Sequence, residues 1–345
     1  MTLELTIVVP AFNEAHRLSE GIKRFDAAVA DGAVDIRRTE LLVVDDGSTD
    51  TTSATARSLL AHLPHHRVVR HPVNRGKGAA VRTGVSHARS TYTAYMDADM
   101  AIDPRAIPRL VDGLRVNDVA IGSRALADSM VESSYAMRSV MGRLFNSCVT
   151  TGTGLGLNDT QCGFKAFHTS VARLLFHLVR IDRFAFDVEV LVQAHRLGLR
   201  ITEVPVQWTH VPGSTVHPLH DSISMLADVS SSRLGLLATP AVPGVVVRDP
   251  SGTSDPGALA ERVRSFVAGS TEAGPAAVVT DGPAVIVLLP LVDPATVASV
   301  CAALRAAFES PTVTRMAFTG DALAGLGPLA GRLGAGPGPE PGVDR

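Results

Sequence analysis

Residues 1–239 predict an α/β fold: a parallel sheet covered by helices on both faces. Two observations lead there. Short, unbroken apolar runs recur at Leu5 to Val9, Leu41 to Val44, Arg67 to Arg70, Thr93 to Met96 and Val119 to Gly122, and helix-like stretches at 14–30, 50–63 and 77–89 separate the first four. Strands buried on both faces read as continuous apolar runs, and helices between them provide the crossovers that parallel pairing requires. Ligands of such sheets bind at the carboxyl ends of the strands, so the residues after each run are the candidates for a site.

The composition changes after Thr239. Gly and Pro number 24 in the first 239 residues and 27 in the last 106, and the second part has no lysine. Residues 240–280 therefore read as a linker and 332–345 as a disordered tail. Between them, 281–331 reads as a small α/β unit of unknown role. It has a strand at Ala284 to Leu289, a helix at Pro294 to Glu309 with Asp293 as N-cap, and a strand at Thr312 to Phe318.

Charge and hydropathy exclude several classes. A formal charge of −2 with 19% charged residues argues against a nucleic-acid binder that neutralises many phosphates. The longest apolar run, Ala284 to Leu289, is far short of the roughly 20 residues of a spanning helix. The amino terminus shows no basic region ahead of an apolar one, so no secretory signal is expected. Cys148, Cys162 and Cys301 form no C-x-x-C and no disulfide framework. A cytoplasmic location is the expectation.

At the strand ends the sequence turns polar. Pro10-Ala11-Phe12-Asn13-Glu14 follows the first run and Asp45-Asp46-Gly47-Ser48-Thr49-Asp50 the second. Asn13 or Ser48 could begin a helix, but two adjacent carboxylates exceed what a cap requires and suit the hydrogen bonds of a nucleotide. Neither G-x-G-x-x-G after the first strand nor a P-loop is present. Asn74-Arg75-Gly76-Lys77-Gly78 opens a helix with two cations and free backbone N–H groups, either a solvated loop or an anion site. Lys77 is one of only three lysines, with Lys23 and Lys165, among 32 basic residues. The fourth run ends in Asp97-Ala98-Asp99. Carboxylates at i and i+2 of an extended segment project to one side, which suits Mg²⁺ or Mn²⁺ completed by phosphate oxygens and water.

These motifs in this order resemble the family 2 glycosyltransferases, whose GT-A fold is a Rossmann-like, mostly parallel mixed sheet. Downstream, Gly122-Ser123-Arg124-Ala125, Arg138, Asp159 to Lys165, Arg183 to Glu189 and Val206 to Thr209 followed by Gly213-Ser214 are similar to the dolichyl-phosphate β-glucosyltransferase branch. Polyprenyl-phosphate mannosyltransferases are its neighbours. The resemblance spans about residues 5–230.

It implies that Pro10, Phe12, Glu14, Asp45 and Asp46 hold the nucleoside and that Asp97 and Asp99 bind the metal. Lys77, Arg124, Arg138 and Lys165 would then face the leaving diphosphate or the acceptor phosphate, with Gln161 near the sugar or acceptor. The implied reaction is inverting transfer of glucose from UDP-glucose to a polyprenyl phosphate. GDP-mannose as donor, a hydroxyl acceptor with Asp159 or Asp187 as base, and a non-catalytic nucleotide-sugar binding module are the alternatives. Asp187 also fits a helix N-cap, Glu189 a helix surface or the site, Cys162 a small buried residue and Trp208 a pocket wall. The eukaryotic members carry an amino-terminal anchor, and this chain starts close to its first strand. Two amphipathic stretches, 131–149 and 222–237, would serve for peripheral membrane contact or for packing.

Overall fold

A computed structural model of the chain describes residues 3–131, 149–150, 154–211, 242–248, 255–269, 277–281, 284–290, 294–307 and 312–318. The first part runs β1 (Leu5–Ala11), α1 (Ala15–Ala30), β2 (Thr39–Asp45), α2 (Thr52–Leu60), β3 (His66–Arg70), α3 (Lys77–His87), β4 (Tyr92–Met96), α4 (Ile107–Gly113) and β5 (Val119–Ser123). It continues with β6 (Met130–Val131), β7 (Phe164–His168), α5 (Thr169–Leu178), α6 (Phe186–Arg196), β8 (Ile201–Pro205) and β9 (Gln207–Trp208). Seven strands form one sheet in the order β3-β2-β1-β4-β7-β5-β8. Its pairings are parallel except at β7, which runs antiparallel to both β4 and β5.

The period-2 alternation of side chains explains why the strands read as continuous apolar runs. Ile7, Val9, Leu41, Val43 and Met96 pack with α1, α2 and α4, through Leu18, Ile22, Phe25, Leu60 and Leu110. Val8, Leu42, Val44, Tyr95 and Ile121 point the other way, onto Ala80, Val81 and Val85 of α3 and onto α5 and α6. Each face is covered, so neither set of side chains is polar. The order of strands also brings the carboxyl ends of β2, β1 and β4 together, where the candidate motifs lie.

The reading of 240–280 as a linker is corrected. That stretch supplies β10 (Val242–Arg248), α7 (Pro256–Gly269) and β11 (Ala277–Asp281), followed by β12 (Ala284–Leu288), α8 (Pro294–Ala307) and β13 (Thr312–Phe318). The strands form a second sheet, β11-β12-β10-β13, with every neighbouring pair antiparallel. This is the split β-α-β-β-α-β arrangement. The two strands expected as a β-α-β pair are both present, but β10 lies between them. Pro243 and Gly244 inside β10, and the Gly- and Pro-rich connections, raised the average composition enough to conceal two strands and a helix.

Val245, Val247, Val285 and Val287 face Leu259, Val263, Val297 and Leu304 of α7 and α8. The opposite face, with Val242, Val246, Ile286 and Leu288, joins the core of the first part alongside α5. The expected tail at 332–345 and the Asp293 cap lie outside the described residues.

Candidate active site

The loops after β1 and β2 are stitched to each other. Asn13 adopts a left-handed conformation (φ 53°), and its side-chain oxygen accepts from the backbone N–H groups of Thr49 at 2.8 Å and Asp50 at 3.3 Å. Its own N–H donates to Ser48 Oγ at 2.9 Å. Neither Asn13 nor Ser48 caps a helix. Pro10 is buried in β1, and Phe12 projects into solvent at the edge of the cleft.

The adjacent carboxylates have different tasks. Asp45 is fully buried, and its Oδ1 accepts the Ser48 N–H at 2.8 Å. Its Oδ2 lies 3.5 Å from Arg70 Nε and is left with no hydrogen bond, a buried acceptor of the kind a ligand N–H would satisfy. Asp46 has no such oxygen. It is paired with His71 Nδ1 at 2.6 Å and accepts from Asn74 Nδ2 at 3.0 Å and from the backbone N–H groups of Arg75 and Gly76 at 3.0 and 2.7 Å. Asp46 thus fixes the turn into α3. Gly76 completes that turn at φ 108°, where a Cβ would strike the Asp182 carbonyl.

At the end of β4, Asp97 is half exposed and Asp99 nearly buried. Lys77 Nζ stands 2.7 Å from Asp97 Oδ1. Arg17 pairs with Asp99 and, through its other amino group, with Glu14 at 2.6 Å. Burial pushes the Glu14 carboxyl up to about 7, against the pull of Arg17 and with help from Asp99. Burial and the neighbouring Asp97 also raise Asp99. Burial works against the Lys77 ammonium, yet Asp97 and Asp187 hold its pKa above the ordinary value.

Among the described residues no three ligand-type side chains enclose a metal by themselves. The pair Asp97 and Asp99, two hard oxygen donors with excess negative charge close by, nevertheless fits Mg²⁺ or Mn²⁺, which keep positions for phosphate oxygens and water. Gly163 lies against that pair, and a Cβ there would push the Asp97 carboxylate aside.

Lys165 lies under the site and not in it. It is fully enclosed, donating to Asp187 Oδ1 at 2.6 Å and to the Cys162 carbonyl at 2.7 Å. Tyr95 donates to the same Asp187 oxygen at 2.5 Å, and Lys77 is 3.6 Å from Oδ2. Asp187 therefore links a fully buried cation to a partly buried one and is not a helix N-cap, a position that Ala185 holds. The expectation that Lys165 faces a phosphate is corrected: its ammonium is fully buried and committed to Asp187 and the Cys162 carbonyl. Glu189 is committed to structure as well, accepting the backbone N–H groups of Arg180 and Ile181 at 2.9 and 2.8 Å.

Arg124 enters the cleft from the end of β5. Its Nε and Nη2 grip Asp159 in a two-point ion pair at 2.7 and 3.0 Å, and its backbone N–H donates to the same carboxylate. Burial favours the neutral acid at Asp159, but the charge and hydrogen bonds of Arg124 outweigh it and lower the pKa. Glu203 of β8 secures the turn by accepting from the Asn158 and Asp159 N–H groups at 2.9 and 3.0 Å. Gln161 follows, its N–H donating to Asp159 at 3.2 Å, and its side chain is half-buried. Arg124, Asp97, Gly163, Met100, Ile102 and Trp208 line one pocket. Arg138 lies outside the described residues.

The structure thus gathers Asp45, Glu14, Asp97, Asp99, Lys77 and Arg124 along one row of strand ends. It adds Arg17, Tyr95 and Glu203, which sequence reasoning missed. Arg17 sits one helical turn after Glu14, a spacing visible in the sequence, but its bond to Asp99 spans 82 positions. No local signal announces it.

The model for "Glycosyl transferase family 2" matches residues 6–174. A dolichyl-phosphate β-glucosyltransferase of Dictyostelium discoideum is 36% identical over 247 residues, covering 68% of this chain and 75% of that one. Its Drosophila melanogaster counterpart is 35% identical over 66% and 74%, and the Homo sapiens one 34% over 68% and 76%. Among solved structures, glucosyl-3-phosphoglycerate synthase from Mycobacterium tuberculosis, in complex with Mn²⁺, UDP and glucosyl-3-phosphoglycerate, superposes with a TM-score of 0.52. It is 21% identical over 70% of this chain and 83% of that one, a likeness of fold. The sheet is therefore that of a GT-A glycosyltransferase, and the chain belongs to glycosyl transferase family 2, in its dolichyl-phosphate β-glucosyltransferase branch.

Proposed function

We propose that this glycosyltransferase moves glucose from UDP-glucose to a polyprenyl phosphate, with inversion and with Mg²⁺ or Mn²⁺ bound. The observation that carries the reading is the commitment of both carboxylates that a hydroxyl acceptor would need as a base. Asp159 is held at two points by Arg124, and Asp187 is buried against Lys165 and Tyr95. A phosphate monoester has a second pKa near 6 and attacks as an anion, so it requires no base. The names of the relatives supply the sugar and the lipid class.

The residues divide the work. Asp45 offers its unsatisfied oxygen to a base N–H. Asp97 and Asp99 would hold the metal, which when bound offsets charge on the departing nucleoside diphosphate. Lys77 adds a point charge beside them, and Arg124, already oriented by Asp159, screens the repulsion between acceptor phosphate and donor diphosphate. One displacement at the anomeric carbon turns an α-linked donor into a β-linked product.

No helix among the described residues is long and apolar enough to cross a membrane. Met130 and Val131 are exposed on β6, which pairs with the Trp208 strand at the pocket, and support peripheral contact with the lipid surface that holds the acceptor. The reading places the enzyme on the cytoplasmic face.

The test is turnover of labelled UDP-glucose and GDP-mannose with polyprenyl phosphate, using Asp99→Ala as control. Label entering lipid from UDP-glucose, lost in the variant, is the expected result. Preference for GDP-mannose would transfer the reading to the mannosyl neighbours, and nucleotide binding without transfer to any acceptor would leave a binding module.

A further inference from the structure

Arg17 is not explained by the reaction. Its guanidinium bridges Glu14 and Asp99, carboxylates on two different strand-end loops, and its side chain is mostly buried. The bridge is underbonded: Arg17 Nε and Glu14 Oε2 are both buried without a hydrogen-bond partner. Buried polar atoms left in that state favour any rearrangement that satisfies them.

The charges around it are nearly balanced. Counting all groups as ionised, Glu14, Asp97, Asp99 and Asp187 bring four negative charges, and Arg17, Lys77 and Lys165 bring three positive. A divalent cation alone would reverse the local sign, whereas a cation arriving with a diphosphate would restore it. Without Arg17, the same carboxylates would accept a lone divalent cation at no net excess.

From this we propose that Arg17 is a built-in counter-ion that competes with the divalent metal for Asp99, so that the metal binds tightly only with the nucleotide. The proposal rests on the metal-dependent reading above. It assigns Arg17 a positioning role that sets the order of ligand binding.

The experiment measures Mn²⁺ binding to the full chain by the EPR signal of free Mn²⁺, with and without UDP and with no acceptor. Wild type should bind Mn²⁺ weakly alone and far more tightly with UDP. Arg17→Gln should bind Mn²⁺ alone about tenfold more tightly than wild type, the scale of one partly screened unit charge, and should gain less from UDP. Arg17→Lys, which keeps the charge but cannot bridge both carboxylates, should fall between them and covers the case in which the glutamine variant misfolds. Mn²⁺ affinity unchanged or weakened in folded variants, with wild type still binding Mn²⁺ plus UDP, overturns the proposal alone. Absence of Mn²⁺ binding by wild type even with UDP overturns it together with the metal-dependent reading.

Discussion

Lys165 Nζ and Asp187 Oδ1 are 2.6 Å apart in a place that water does not reach. Breaking one side of such a pair leaves an uncompensated buried charge, which costs about 3–5 kcal/mol. Asp187→Leu should therefore lower stability by that amount in urea unfolding. Lys165→Arg should also fail to be neutral, since the enclosed ammonium leaves no room for a guanidinium. The double change Lys165→Met with Asp187→Leu should recover most of the stability while activity stays low, because Lys77 would lose the Asp187 contact. Equal activity in the double variant and wild type would contradict the link between the two lysines.

Gly163→Ala tests the floor of the metal pair. Its Cβ would displace the Asp97 carboxylate, so transferase activity should fall at least about tenfold, the cost of a small misplacement at a reacting centre. Melting temperature should change little, because Asp97 is half exposed and its one ion pair, with Lys77, is near the surface. Activity within twofold of wild type would show that Asp97 is not needed where it stands.

Arg124→Lys separates charge from shape. Lysine cannot reproduce the two-point contact with Asp159. We expect kcat/KM for lipid phosphate to fall by about 10²-fold, the scale of a group misplaced by about 1 Å, with a smaller change in KM for the donor. A loss confined to donor KM would move Arg124 to the nucleotide side of the cleft.

Cys162 predicts an alkaline limit. Burial pushes its thiol up to about 12 from an ordinary value of 9.0. The folded state therefore holds this proton more firmly than the unfolded state, so the contribution to stability is complete below pH 9 and declines as pH rises from 9 toward 12. Cys162→Ala should flatten the pH dependence of melting over that window, and the thiol should not react with an aromatic disulfide at pH 8 until the protein unfolds. Rapid labelling of Cys162 in the native protein would contradict its enclosure.

The main sheet was legible in the sequence because each strand alternates between two covered faces, and five apolar runs fall on β1 to β5. The antiparallel β7 was not, since direction depends on what happens between Arg124 and Phe164 and not on the residues of the strand. The site was legible where its chemistry is local, as in Asp97-Ala98-Asp99 and Gly76-Lys77. It was illegible where partners meet across the fold. Asp45 and Asp46 look identical in sequence, yet one keeps a spare oxygen and the other is consumed by residues 71–76. Lys165 was implied as a phosphate ligand by the resemblance of its Asp159–Lys165 motif, and only the pairing of β7 with β4, which sets it opposite Tyr95, and its bonds to Asp187 and the Cys162 carbonyl show it enclosed.

The sheet of β10 to β13 has its own helices on one side and α5 on the other, and this double cover bears on how the enzyme comes apart. A chain ending at Thr239 would leave wet the flank of α5 that meets β10 and β11, without removing any of the cleft residues named above. Such a truncation should still turn over substrate while folded, but it should melt at a lower temperature and aggregate on heating. The full chain should show one calorimetric peak rather than two. On that outcome the stretch with the least conspicuous sequence would be a buttress, adding endurance to the catalyst and nothing to its chemistry.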